Sequence, residues 1–527
     1  MNEPESQSEE EYSTLSQSAA LLQKKSAQQQ KFAEQYKSRW RSIRVSYFTM
    51  FINAVATTIV YSSLWPYLKM MDVETTTWYL GLVHVAFNLA ELGCIILFGA
   101  WVQYRPGFEP LIFSLVCLII GNLLYAWALS FGYYGKFVVL VARLIIGCAT
   151  GNDVVVTAEV CANTTIKERS GVIAYCSLAQ ALGLMLGPAI QAALVPIGSK
   201  GVFVKILWLH INFCTLAGLV TVLFAAANLI AIWIHGKTDY RVDNPYIDTD
   251  TDECPSESKE EKLGEKAESK GIKRKLGFEN APDLLAVAIV LTVFFVARHV
   301  LVFLEVMFPP MAMDQYALSD SDTVLYIGLI LSIAGFCSTF IFVGIEKITA
   351  IIGDRIPIVI SSFLMLAGFL VLWPISNQYP VLGHFYTELV NTTSGVERVT
   401  RLSPGCSPTH SWCKSTPRVT LTQFFISIVL VTLAFPISYA LLPSLFSKVI
   451  PPGKQGIMVS LFSVSGNLSR IFGPAAFTTL YSYYGPKILF GIMDFGLFIS
   501  LLLTIFFYKR LIPYKLYRRK KKEERLT

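Results

Sequence analysis

The sequence predicts an all-α membrane protein of twelve transmembrane helices, arranged as two related six-helix halves. Three observations predict it: a composition too lightly charged for a soluble chain, apolar runs of spanning length, and an internal repeat. Of 527 residues, 53% are apolar and only 15% charged, against about 25% charged in soluble proteins. A run of about 20 apolar residues crosses a hydrocarbon core about 30 Å thick. The runs are long and show no short alternating pattern, so helices satisfy the buried backbone rather than a barrel.

The expected spans of the first half are Val45–Leu68, Trp78–Ala100, Pro110–Ser130, Lys136–Thr157, Gly171–Val195 and Leu207–Ile234. Those of the second are Leu284–Pro309, Val324–Val343, Ile356–Ile375, Val419–Leu442, Gly456–Tyr483 and Lys487–Tyr508. Residues 1–44 read as a disordered N-terminal tail without a cleavable signal, and the first span as an uncleaved anchor. Halves 45–234 and 284–508 are joined by a charged linker, 235–283, which is poor in apolar residues and reads as disordered. Lys37, Arg39, Arg41 and Arg44 precede the first span, and Arg105, Lys167, Arg169, Lys347, Arg355, Lys448 and Lys454 fall on the same side. The opposite loop with Asp314, Asp320 and Asp322 carries no Lys or Arg. Positive charge stays cytoplasmic, so both termini and the linker are expected there.

The net charge of +7 is matched by the tail 509–527, which holds nine Lys or Arg and two Glu. Such a tail suits the anionic cytoplasmic face of a lipid bilayer, and no folded nucleic-acid module accompanies it. The loop 377–417 lies on the far side, rich in Ser, Thr and Pro, with a glycosylation acceptor at Asn391. Sequons at Asn163 and Asn467 fall at a cytoplasmic end and inside a span. Cys406 and Cys413 are the two of ten cysteines in a lumenal loop. An oxidising lumen favours a disulfide between them. The alternative, a metal held with His410, supplies only three ligands.

The repeat lies in the fifth and eleventh spans. A basic turn at Lys167–Gly171 leads to Gly183, Gly187 and Pro188; a second at Gly453–Gly456 leads to Gly466, Arg470, Gly473 and Pro474. Gly171 to Gly187 is 16 residues and Gly456 to Gly473 is 17, as a duplicated six-span unit requires. Small residues let helices approach closely. In the fourth span, Arg143, Gly147 and Gly151 resemble the Arg-x-x-x-Gly signature of the major facilitator superfamily. Gly99–Gly107 is similar to that superfamily's loop motif, but Gln103 stands where Asp is usual and the basic pair is missing. The resemblance implies the major facilitator fold. Narrower matches run from "YKSRWRSIR" at Tyr36 through "WPYL" at Trp65, "YRPGFEPLI" at Tyr104, "QALGLMLGP" at Gln180, "FLEVMFPPMAMDQYA" at Phe303 and "SGNLSRIFGP" at Ser465 to "YKRLI" at Tyr508. Together with Cys406 and Trp412-Cys413, they resemble the lysosomal major facilitator family associated with neuronal ceroid lipofuscinosis. That resemblance implies a lysosomal or endosomal location and a link to chloride permeability.

Charge inside a span is costly and marks candidate transport residues. By helical rise, Glu91, Arg298, His299 and Arg470 fall near mid-depth; Arg143 and Glu305 lie nearer the lumen, and Asp153 nearer the cytoplasm. Basic groups predominate at mid-depth, which favours an anionic solute. A buried ion pair such as Glu91 with Arg298, holding the halves together, is the competing reading. For Arg143 a packing role competes, because Gly147 and Gly151 share its face. Glu305 is the leading candidate for sensing an acidic lumen, since a desolvated carboxyl titrates higher. Asn53, Asn88, Asn152 and Gln180 add polar contacts, and His84 and Asp494 stand isolated.

In the N-terminal tail, Tyr12 and Leu15 form a tyrosine-type sorting pattern, and Leu21 and Leu22 a dileucine-like one, for clathrin-adaptor-type machinery. No nucleotide loop, metal cluster, cofactor motif or nucleophile motif stands out, so an enzyme is not expected. The functional expectation is an alternating-access carrier of a small anion. A chloride-channel-like pathway on the same fold and a non-transporting scaffold are the alternatives.

Overall fold

The computed structural model describes residues 36–104, 108–164, 166–199, 201–206, 208–235, 283–392, 395–450 and 455–512. The sorting residues Tyr12, Leu15, Leu21 and Leu22, and linker residues 236–282, lie outside the described residues.

The rods of the fold are all helices. Before the linker come α1 (36–58), α2 (Leu64–Met71), α3 (Thr77–Tyr104), α4 (Glu109–Trp127), α5 (Gly135–Thr150), α6 (Asp153–Ala162), α7 (Ile166–Leu194) and α8 (Phe213–His235). After it come α9 (Leu284–Tyr316), α10 (Asp320–Ile352), α11 (Arg355–Val371), α12 (Leu421–Val449), α13 (Gln455–Tyr484) and α14 (Pro486–Phe506). Successive rods alternate between two ends of the bundle. One end carries the linker and is called the linker end; the other carries the segment between α11 and α12 and is called the loop end. Three helix starts have sequence-encoded caps: Asp283 for α9, Ser319 for α10, and the Thr420–Gln423 capping box for α12.

Among the described residues, eight stretches are long and apolar enough to cross a membrane. They differ from the twelve expected spans for physical reasons. Glu109–Val160 holds α4 together with the α5–α6 rod in one apolar stretch. Helix α11 is short, α13 is diluted by Gly466, Asn467, Ser469 and Arg470, and the first rod is broken.

Four expectations need correction. The chain is already helical at residue 36, so residues 36–44 belong to the first rod rather than to a disordered tail. That rod breaks at 59–63, because Pro66 in the first turn of α2 cannot donate to Ser62 and its ring crowds that carbonyl. The fourth rod breaks at Gly151-Asn152, between α5 and α6. The loop 377–417, expected only as a connection rich in Ser, Thr and Pro, contains regular structure: β3 (Phe385–Thr392) and β4 (Gly395–Leu402) form an antiparallel hairpin, with Phe385 opposite Leu402. A smaller hairpin pairs β1 (Val202–Val204) with β2 (Leu209–Ile211).

Each glycine singled out for packing stands at a close helix contact. A Cβ on Gly183 would meet the Phe51 carbonyl oxygen at 2.5 Å, so α7 lies against α1 only because no side chain intervenes. Gly187 meets Thr58 of α1, Gly147 and Gly151 meet Phe87 and Cys94 of α3, and Gly473 meets Val302 of α9. Pro188 and Pro474 lie inside α7 and α13.

Candidate functional site

The halves touch mainly along two helix pairs, α3 with α13 and α7 with α10. On the first seam the Thr77 hydroxyl donates to the Thr478 carbonyl (3.2 Å), and the Asn88 amide donates to the Arg470 carbonyl (2.9 Å). A Cβ on Gly81 would collide with the Thr478 side chain. On the second seam, a Cβ on Gly328 would lie 2.8 Å from the Pro188 carbonyl oxygen, and one on Gly335 3.2 Å from Met185. All these contacts lie toward the loop end of the rods. Burial follows them. On α3, Gly81, Val83, His84, Phe87 and Asn88 are buried, and then no residue is buried until Phe98. On α10, burial is confined to Thr323–Gly328 apart from Ile345, among the residues whose burial is described. The seam is therefore closed at the loop end and parts toward the linker end.

At the bottom of that opening sits a charged group. Arg470 of α13 donates through Nη1 to Glu91 Oε1 of α3 at 2.9 Å, and both side chains are 15% exposed. The pair joins the two halves and gives Glu91 to Arg470 rather than to Arg298, its expected partner. The break at 59–63 delivers Tyr61 into the same place, buried and within electrostatic reach of Glu305 of α9, Arg470, Arg143 and Glu91. Arg298 and Arg470 both lie within electrostatic reach of Glu305, and the Arg298 guanidinium lies 5.4 Å from the Tyr439 ring. His299 does not join them. Its Nδ1 lies 2.9 Å from the Phe295 carbonyl and 2.8 Å from the Ser469 hydroxyl, and its ring packs on Phe477. Adjacent residues on a helix point about 100° apart, so Arg298 and His299 serve different faces of α9.

Arg143 is fully buried, its guanidinium 4.3 Å from the Phe87 ring. None of its three nitrogens has a hydrogen-bond partner. The aromatic face offsets part of the cost of burying that cation, but five N–H donors stay unmet. His84 is buried beside Tyr61 and within reach of Arg143 and Arg470. Asp494 is buried in α14 with neither carboxylate oxygen hydrogen-bonded, and the structure does not bring it to this group. Asn53, Asn152 and Gln180 gather instead around Asp153, one step nearer the linker end.

The loop end is capped by residues 403–419. A disulfide joins Cys406 to Cys413, so these sulfurs and His410, although clustered within 4.8 Å, are not a free ligand set. Trp412 covers Gly485 and packs on Tyr481 at 5.0 Å. The Tyr481 hydroxyl donates to Asp314 Oδ2 at 3.1 Å. His410 Nδ1 is 3.7 Å from the same oxygen, too far for a hydrogen bond. Burial, with Lys69 nearby, pushes the imidazole down to about 4, so His410 is neutral. Asn391 stands on β3, near the tip of the long hairpin.

Sequence reasoning missed Tyr61, whose signal was Pro66 downstream, and the Asp314–Tyr481 bond, whose two ends lie 167 residues apart.

Similarity to known proteins agrees with this geometry. The model of the Major Facilitator Superfamily matches residues 46–392 and 406–526. The major facilitator superfamily domain-containing protein 8 of Xenopus laevis is 33% identical over 492 residues, covering 91% of this chain and 93% of its own. An SPX domain-containing membrane protein of Arabidopsis thaliana is 32% identical over 154 residues, 29% of this chain and 21% of its own. Among solved structures, a human organic anion transporter superposes with a TM-score of 0.53 at 16% identity, over 88% of this chain and 99% of its own. A D-xylose–proton symporter superposes with a TM-score of 0.60 at 14% identity, over 88% and 97%. At such identities these two likenesses concern the fold.

Proposed function

The chain belongs to the major facilitator superfamily and is a multi-pass membrane transporter, and from that premise we propose an alternating-access carrier for a small anionic solute in the lysosomal or endosomal membrane. One observation carries the reading: the two halves meet in a seam closed at one end, with the Glu91–Arg470 pair at the foot of the opposite opening. Rocking about such a pair exposes mid-depth to each side in turn, the motion expected of two repeats around a fixed site. The one-ended closure favours a carrier over a chloride-channel-like pathway, which needs a continuous opening.

The anionic preference rests on Arg143, Arg298 and Arg470 against Glu91 and Glu305, with the Arg143 donors unmet. The lysosomal or endosomal location rests on the resemblance and the N-terminal sorting patterns. The placement of Lys and Arg supports cytoplasmic termini and a lumenal loop end, which makes the present state open to the cytoplasm. Asn391→Gln is then expected to abolish a glycan-dependent mobility shift, read by gel migration with and without glycosidase. A tag in the linker that is reached only from the lumen overturns this orientation.

The deciding experiment is flux in vesicles under a defined pH gradient, with chloride and small carboxylates as probes. Saturable uptake of one of them is expected; absence of flux for every probe favours the scaffold alternative. In the same assay, Glu305→Gln is expected to keep flux active at neutral lumenal pH, where the native chain declines. A charged Glu305 repels an anion approaching Arg298 and Arg470, and the amide does not. An unchanged pH profile would make Glu305 a structural partner of Tyr61.

A further inference from the structure

On the carrier reading above, we propose that Asp153, with Asn53 and Gln180, forms a proton-binding site at the break in the α5–α6 rod, which ties the state of the opening to a pH difference. Broken membrane helices are where coupling ions bind, because the freed groups face a cavity rather than lipid. Here the break puts a carboxylate between two other helices. The Asn53 amide of α1 donates to Asp153 Oδ1 at 3.0 Å, and the Gln180 amide of α7 donates to Oδ2 at 3.1 Å. Asn53 also donates to Asn152 Oδ1, and the Asn152 amide donates to Ser114 Oγ of α4 at 2.7 Å. The charged groups facing Asp153 from neighbouring rods are Glu91 of α3 and Arg470 of α13, and these two are paired with each other.

The partners are the telling feature. A carboxylate that must stay charged inside a bundle is normally met by Arg or Lys. Asp153 is met by two neutral amides. Turned by half a rotation, an amide presents its oxygen instead of its N–H groups, so it can serve either a carboxylate or a carboxylic acid, the donation to the charged form being the stronger bond. One atom already awaits the second state: Asn53 is 3% exposed, and its Oδ1 is buried with no partner. With Asp153 charged, that oxygen has no donor to accept from. With Asp153 protonated, the carboxyl O–H supplies one: the Asn53 amide turns to accept it, and the Asn152 amide turns with it, so that Asn152 Nδ2 donates to Asn53 Oδ1 and the Ser114 hydroxyl donates to Asn152 Oδ1. The site thus takes one proton, on Asp153, and no other co-reactant. The first turn of α6 favours the charged form, so the two states compete rather than one being locked in.

The test is infrared difference spectroscopy of the full chain in lipid vesicles, between acid and neutral pH. It reads the carbonyl stretch of protonated carboxyls. A band lost in Asp153→Asn but retained in Glu305→Gln and Asp494→Asn is expected. A spectrum unchanged in Asp153→Asn overturns the proposal. So does a titration midpoint that moves when sodium replaces potassium, since the site would then hold a metal cation. Where Asp153→Asn does not fold, Gln180→Leu keeps the carboxyl and removes one donor to its charged form. The midpoint is then expected to rise by about one pH unit, and an unmoved midpoint overturns the assignment. These spectra need neither solute nor flux, so the proton site and the carrier reading fail separately.

Discussion

Arg470→Ala is expected to abolish transport at every pH, with a lowered thermal midpoint. The variant leaves Glu91 in a mostly buried place without its partner. Breaking one side of a buried pair costs about 3–5 kcal/mol, because the surviving charge is uncompensated. Arg470 also serves Glu305 and Tyr61, so three polar groups lose their cation at once. The conservative Arg470→Lys retains charge but not the planar donor geometry and is expected to rescue only in part. The exchange Glu91→Arg with Arg470→Glu separates two roles. If the pair serves only to hold the halves, the exchange restores both stability and flux. If Arg470 also meets the solute, stability returns and flux does not. Normal transport by Arg470→Ala at matched abundance would remove the mid-depth site from consideration.

Gly81→Val is expected to open the loop end. Any side chain at Gly81 collides with Thr478, and a Cβ there would also lie 2.9 Å from the Pro474 carbonyl oxygen, which cannot swing away. Overpacking costs about 1–3 kcal/mol, which is about fivefold to about a hundredfold in the ratio of closed to open seam. The check is labelling of a cysteine at Thr77 by an impermeant maleimide applied from the loop side. Labelling is expected to be slow in the parent and faster by at least about fivefold with Gly81→Val. Adding Thr478→Ala removes part of the collision and is expected to slow labelling again. Equal rates in parent and variant would mean that this seam does not gate the opening.

The rods were legible because hydrophobic length is a strong signal, and α9 begins at the expected Leu284. The breaks were missed because hydropathy runs straight through them. Yet Pro66 and the Gly151-Asn152-Asp153 sequence are ordinary stop and start chemistry for helices. The β3–β4 hairpin was hidden by reading Ser, Thr and Pro as loop, although Val, Thr and Tyr also favour strands. Glu91, Arg298 and Arg470 were visible as costly intramembrane charges. Which arginine meets Glu91 depends on how the halves dock, and no local pattern along the chain encodes that. The same holds for His299, whose partner Ser469 lies 170 positions away.

The two chain segments that leave the bundle beside α9 and α14 leave it from one corner. Asp283, the cap of α9, accepts from Arg510 Nε at 2.6 Å and from Nη2 at 3.1 Å, and Leu511 and Ile512 beyond it are buried. The end of the linker and the root of the basic tail are thereby fastened to the first turn of the helix that carries Arg298, His299 and Glu305. A change of charge at Asp283 or Arg510 is therefore felt directly at the first turn of α9.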